Sequence, residues 1–194
     1  GWRWQLVLEI RDLTVTGRLL STSFSLRSGD AIVITGPNGS GKSTLLDCIS
    51  GVLKPSSGVI SIDNKQQPAY LPQLPPRPFA YTVREYLSVG ENQYRWTKFN
   101  ATLDVDALME KEITALSAGQ WQRVAITKVL SQPSSLILMD EPDAPLDTLW
   151  SECLNTVLSD VISEGRVIVV TLHRQDIQKS WKYQSLNLTP THTS

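Results

Sequence analysis

"AIVITGPNGSGKST", residues 31–44, is the stretch on which the fold turns. Its opening apolar run does not alternate, which suits a strand buried on both faces, the habit of a parallel sheet covered by helices. The run ends in G-x-x-x-x-G-K-S, with Gly36, Gly41, Lys42 and Ser43 in register. Glycines let consecutive backbone N–H groups point at the α- and β-phosphates of a nucleotide. Lys42 would neutralise the β/γ oxygens, Ser43 would ligate Mg²⁺, and the following helix N-terminus would add its dipole. A plain glycine turn is the bland alternative, and four matching positions in register weigh against it.

Such a loop calls for an acid at the end of a second buried strand. "SLILMDE" supplies it at 135–141, with Asp140 as an outer Mg²⁺ anchor and Glu141 directed at a water, since a base must reach the attacking nucleophile. Further apolar runs fit strands at "QLVLEI" (5–10), "GVISI" (58–62) and "RVIVVTL" (166–172), with a last strand near "YQSLNL". Helical patterns start near Lys42, Thr82, Ser117 and Asp147. Strands alternating with helices argue an α/β protein built on a parallel sheet. Residues 72–116 break the rhythm: "PQLPPRP" leads into "TVREYLSVG", where Thr82 and Glu85 form a capping box, and then into the short "LDVDALM". This reads as a small helical insertion.

The 194 residues are enough for one α/β domain with its own core. A net charge of −1 gives no basic field for nucleic acid or anionic lipid, so nucleic acid is not an expected partner. Cys48 and Cys153 have no second Cys or His at metal-ligand spacing and read as apolar fillers suited to a reducing cytosol. No apolar run approaches the roughly 18 residues needed to span a bilayer.

"LSAGQWQRVAITKVLSQ", from residue 116, reads as a helix capped by Ser117, with Gly119 allowing a close backbone approach and Val124, Ile126, Val129 and Leu130 supplying an apolar face. A capped, uncharged helix start is itself able to receive an anion. With this stretch the chain resembles the ATP-binding cassette (ABC) ATPases: the LSGGQ signature, Walker A and Walker B motifs match "LSAGQ", "GPNGSGKST" and "LILMDE" in the expected order. The resemblance covers residues 8–188. It implies a P-loop NTPase fold of the ABC type, with a mainly parallel core sheet, an antiparallel β part and a helical insertion at about 74–130 within a single domain, 1–194.

The same resemblance implies ATP and Mg²⁺ as ligands. Gly36, Pro37, Asn38, Gly39, Ser40, Gly41, Lys42, Ser43 and Thr44 would cradle the phosphates, and Ser43, Gln73 and Asp140 would serve the metal. Glu141, Gln73 of the Q-loop "YLPQ" and His173 of the H-loop would be catalytic. Ser117, Gly119, Gln120 and Asp147 would close over ATP held by a second ATPase, in a homodimer or a pseudo-symmetric pair. Ala118 replaces the first glycine of the signature pair, and Ala144 and Pro145 depart from the usual D-loop Ser-Ala. Pro72, Pro75 and Arg77 also satisfy a P-x-x-P-x-R pattern for SH3 domains. Most cassettes stack adenine on an aromatic residue just after the first strand; Thr16 and Gly17 stand there, and Trp2 and Trp4 are poor substitutes by register. His192 receives no role.

The expected function is the ATP-hydrolysing subunit of an ABC transporter, peripheral on the cytoplasmic side of the membrane and coupled to a separate transmembrane permease. Short spacings resemble small importer ATPases. Alternatives are a soluble ABC-type ATPase in repair, translation or cluster assembly, and a P-loop small-molecule kinase, which would want an arginine-rich lid in place of "LSAGQ".

Overall fold

Two sheets and five α-helices account for the regular structure of the computed structural model, which describes residues 5–63, 67–90, 97–173 and 179–191. Trp2, Trp4 and His192 lie outside the described residues. The elements are β1 (Leu6–Val15), β2 (Leu19–Arg27), β3 (Ala31–Thr35), α1 (Lys42–Ser50), β4 (Ser57–Ile62), β5 (Ala69–Leu71), α2 (Val83–Ser88), α3 (Thr97–Leu103), α4 (Ala118–Ser131), β6 (Leu136–Asp140), α5 (Thr148–Ser163), β7 (Val167–Thr171) and β8 (Gln184–Asn187). Short 3₁₀ turns at Asp106–Leu108 and Ile113–Ala115 lead into α4.

The core sheet has the order β5-β6-β7-β3-β8, and all of its pairs are parallel. Its central strands are buried along their whole length, so the period-2 pleat divides their residues between two apolar layers. Val33, Ile137, Met139, Ile168 and Val170 pack with α4, α5 and the helices before them. Ile32, Ile34, Leu136, Leu138, Val167 and Val169 pack with α1 and the second sheet.

That second sheet, β2-β1-β4, is antiparallel. It takes two of the runs grouped above with the parallel-sheet candidates, 5–10 and 58–62. Burial is the cause: β1 buries one face, placing Leu8, Ile10 and Leu13 inside, while β4 is buried nowhere along its length. Strands wetted on one side pair antiparallel without a helical crossover. β2 and β5 add strands that the apolar runs did not announce.

Local signals fix the helix starts. The Thr82–Glu85 and Ser117–Gln120 pairs both form complete capping boxes, and Asp147 Oδ1 accepts the Trp150 N–H at 3.0 Å to cap α5. At its other end α4 is closed by the Arg166 guanidinium, which donates to the carbonyls of Leu130, Gln132 and Ser134.

The topology gathers one functional edge. β3, β7 and β6 lie side by side, and their C-terminal ends open at the carboxyl edge of a parallel sheet, where α/β proteins bind ligands.

Candidate functional site

The loop after β3 runs directly into α1, whose N-cap is Gly41 at φ +97°. No side chain caps this helix and no acidic residue occupies its first turn, so the orphan N–H groups and the positive end of the dipole face outward uncompensated. Lys42 Nζ folds over the loop and donates to the carbonyls of Gly36 at 2.7 Å and Pro37 at 3.2 Å. Ser40 Oγ is buried with no hydrogen-bond partner among the described residues.

A cavity of about 220 Å³ opens beside the loop, lined by Asn38, Gly39, Gly41, Lys42, Ser43 and Thr44, and across from them by Gln73 and Glu141. Gln73 Nε2 donates to Glu141 Oε2 at 3.0 Å, so two residues 68 positions apart meet at the cavity mouth. Tyr70 ties the strand that leads to Gln73 to α1. Its hydroxyl donates to Asp47 Oδ1 at 2.7 Å, joining β5 to α1, and burial together with that hydrogen bond pushes the phenol far above its ordinary range. It therefore stays a neutral donor at any physiological pH.

Asp140 is almost fully buried at the end of β6, opposite Thr171 in the parallel register of β6 and β7. The Thr171 hydroxyl donates to Asp140 Oδ1 at 2.7 Å and accepts the Glu141 N–H at 2.8 Å, so one side chain orients both carboxylate residues. Glu141 itself sits at φ +47°, a left-handed conformation that costs a non-glycine residue about 1–3 kcal/mol and clusters at functional sites. Thr171 was not marked from the sequence. The available signal was a polar residue closing a strand whose other residues are apolar.

The remaining sequence-marked residues stand apart from this cavity. His173 is exposed, and its backbone N–H donates to Asp143 Oδ1 at 2.9 Å. Ser117 and Gln120 satisfy one another in the capping box, Oε1 of Gln120 accepting the Ser117 N–H and Ser117 Oγ accepting the Gln120 N–H. A Cβ on Gly119 would lie 3.2 Å from the Pro145 carbonyl, which is the close approach the sequence suggested. Asp147 serves the α5 cap. None of these five lines the cavity that contains Lys42 and Glu141.

The segment after Gln73 is tied to the start of α4. Trp121 Nε1 donates to the Pro75 carbonyl at 3.1 Å, and Arg77 Nη1 donates to the Leu116 carbonyl at 2.7 Å. The Pro75 carbonyl and the Arg77 guanidinium of the P-x-x-P-x-R pattern are thus engaged within the chain, against its use as an SH3 ligand.

Chemically, the cavity offers a cation, uncapped N–H donors and hydroxyls along one wall and a carboxylate steered by an amide on the other. No cluster of three or more His, Cys, Asp or Glu side chains at metal distance exists among the described residues. A divalent cation here would rest on a mixed oxygen set of hydroxyl, amide and one or two carboxylates, the set that suits Mg²⁺ shared with phosphates. The residues present fit that demand. With its Nε2 given to Glu141, Gln73 has its amide oxygen left for a hard cation.

Comparisons with known proteins agree with this geometry. The family model described as "ABC transporter" matches residues 19–144, more than half of the chain. A hemin import ATP-binding protein of Rhodococcus jostii is 32% identical over 173 residues, covering 78% of this chain; the chain spans 59% of that relative's length. A vitamin B12 import ATP-binding protein of Vibrio atlanticus is 31% identical over 195 residues, covering 86% of this chain and 77% of the relative. Among solved structures, a dimeric bacterial ABC transporter cassette superposes with a TM-score of 0.83 over 94% of both chains; at 23% identity this bears on the fold alone.

Proposed function

Because the chain belongs to the ABC transporter family, we propose that it is the ATP-hydrolysing subunit of an importer, a single domain over residues 1–194 with a helical insertion at about 74–130. The observation that carries the reading is the Gln73–Glu141 hydrogen bond at the mouth of the phosphate-loop cavity, which brings a general base and its orienting amide to the place where a terminal phosphate would lie. Import is supported by the Rhodococcus and Vibrio relatives, both import ATP-binding proteins.

In this reading the ATP phosphates bind along Gly36–Thr44. Phosphate oxygens take the Lys42 ammonium from the Gly36 and Pro37 carbonyls, and the α1 N-terminus stabilises the negative charge. Ser43, Gln73 and Asp140 would hold Mg²⁺, which when bound would supply charge neutralisation to the phosphates. Gln73 fixes the Glu141 carboxylate through Oε2, and Oε1 takes the proton of the attacking water. Thr171 keeps Asp140 and Glu141 in register with one another, whereas His173 lies outside the cavity and its assignment to the γ-phosphate rests on the family resemblance.

Ser117, Gly119, Gln120 and Asp147 do not line their own chain's cavity, which supports their use on nucleotide held by a second ATPase, identical or homologous. The permease would dock beside the Q-loop. There Leu74 and Phe79 are 88% and 82% exposed, and Trp121 and Arg77 link the same segment to the signature helix. The chain then works at the cytoplasmic face of the membrane as a peripheral subunit; among the described residues no helix is long and apolar enough to cross it.

Glu141→Gln tests the reading. The variant should bind ATP normally and turn over at least about a hundredfold more slowly, in line with general-base contributions of about 10²–10⁴. Wild-type turnover in that variant would overturn the assignment.

A further inference from the structure

We propose that Gln122 is a positioning residue for Glu141, coupling the start of the signature helix to the backbone that carries the catalytic carboxylate; this rests on the reading of Glu141 as the general base. Gln122 is 2% exposed, and its Nε2 donates to the carbonyl of Pro142 at 2.9 Å within the protein interior. Pro142 directly follows Glu141. Having no N–H, it offers one backbone polar group, and Gln122 holds it.

The left-handed Glu141 needs such anchors, because a glutamate persists at φ +47° only where its surroundings over-determine it. Thr171 Oγ1 fixes the residue from its N–H, the Ala144 N–H donates to its carbonyl at 3.1 Å, and Gln73 steers its carboxylate. Gln122 is the anchor that arrives from α4, the helix whose first turn is "LSAGQ".

Two further contacts make this a joint between rigid pieces. Residues three and four apart share a helix face, so Gly119, Gln122 and Arg123 all look the same way. Gly119 lies against the Pro145 carbonyl, and the Arg123 guanidinium stacks 3.8 Å over the Trp150 ring, on the residue whose N–H receives the Asp147 cap. Residues 142–150 therefore follow the first turns of α4 as one body. A nucleotide or partner that shifts Ser117–Gln120 shifts the peptide after Glu141 with it, and Gln122 carries that shift closest to the carboxylate.

The test is a double-mutant cycle between Gln122→Met, which keeps length and apolar bulk but removes the donor, and Glu141→Gln. Melting temperature and binding of a fluorescent ATP analogue establish that each protein folds. Loss of an outer contact behind a metal ligand typically costs about 10- to 100-fold in activity, and a contact behind a catalytic carboxylate is expected on the same scale. Gln122→Met should therefore lower kcat at least about tenfold while KM and analogue affinity stay within about threefold. In the Glu141→Gln background, single-turnover hydrolysis should fall no further than about twofold, because the base being positioned is already gone. Should the Met side chain fail to seat, Gln122→Ala runs the same cycle on a residue helices tolerate well. A kcat within about threefold of the parent, or a loss that persists in full beside Glu141→Gln, overturns the proposal. Full turnover in Glu141→Gln alone would instead remove the reading on which it rests.

Discussion

Gly41 and Gly17 sit on either side of the same small piece of backbone, and they are constrained in different ways. Gly41 ends the phosphate loop at φ +97°, and a Cβ there would fall 2.4 Å from the Arg18 carbonyl and 3.0 Å from Leu19 Cδ1. Gly17, one residue before Arg18 in the β1–β2 turn, lies at φ +72°, and a Cβ there would meet nothing within 4 Å. Gly41 is required twice, by conformation and by space. Gly17 is required by conformation alone. The phosphate end of the site is thus over-determined by close packing against the β1–β2 turn, whereas the turn itself has open space above it. Rigidity is concentrated where charge has to be met by aimed N–H groups.

The largest effect should follow from breaking the crowded side. Gly41→Ala combines left-handed strain of about 1–3 kcal/mol with overpacking of similar size against backbone that cannot swing away. At about 2–4 °C per kcal/mol for a chain of this size, the melting temperature should fall by about 10 °C, and stabilisation by added Mg²⁺-ATP should vanish. A variant that melts within about 2 °C of the parent would show that the loop gives way easily. Gly17→Ala sharpens the contrast. With strain alone, about 1–2 kcal/mol, it should melt about 3–6 °C lower and keep its nucleotide affinity within about twofold. Equal losses in the two variants would abolish the distinction.

What the sequence disclosed and what it concealed divide along the same line between local and assembled features. The glycine-rich turn into α1, the caps at Thr82 and Ser117, the helix start near Asp147, and the buried strand ending in Asp140 are local, written in consecutive residues, and all are found where the pattern placed them. β2 escaped because "LLSTSFSLR" is half polar; the strand exists through its ladder to β1 rather than through its own composition. β5 is three residues long and has too little pattern to register. The missed site residues share one cause. Thr171 matters because β7 lies beside β6 with Asp140 and Thr171 in register, and Gln122 because its acceptor is a backbone carbonyl. A carbonyl leaves no mark in a sequence. Gln73 and Glu141 each carry a sequence signal of their own, but their hydrogen bond joins the segments that follow β5 and β6, neighbours only in the sheet.

The smallest expected effect is a near absence of discrimination, and it follows from the open side of the comparison. The β1–β2 turn packs on the glycine-rich loop through the Arg18 carbonyl, so it would flank a nucleotide bound there. It consists of Thr16, Gly17 and Arg18, with no ring on which a base could stack. Its backbone is occupied locally: the Thr16 N–H donates to Ser56 Oγ, and the Gly17 carbonyl accepts from Thr191 Oγ1 at 3.0 Å. Base–aromatic stacking is worth about 1–3 kcal/mol, so a nucleotide here is held almost wholly by its phosphates and metal. Phosphates are common to all nucleoside triphosphates, and a site that reads only them should treat ATP and GTP alike. Hydrolysis of the two, measured side by side at saturating Mg²⁺, should give kcat/KM values within about tenfold of each other, which is about 1.4 kcal/mol of selectivity or less. A preference for ATP beyond about a hundredfold would mean that a group near this turn reads the base edge. The open space beside Gly17 would then be a specificity pocket, and the contrast with Gly41 would be one of function rather than of constraint.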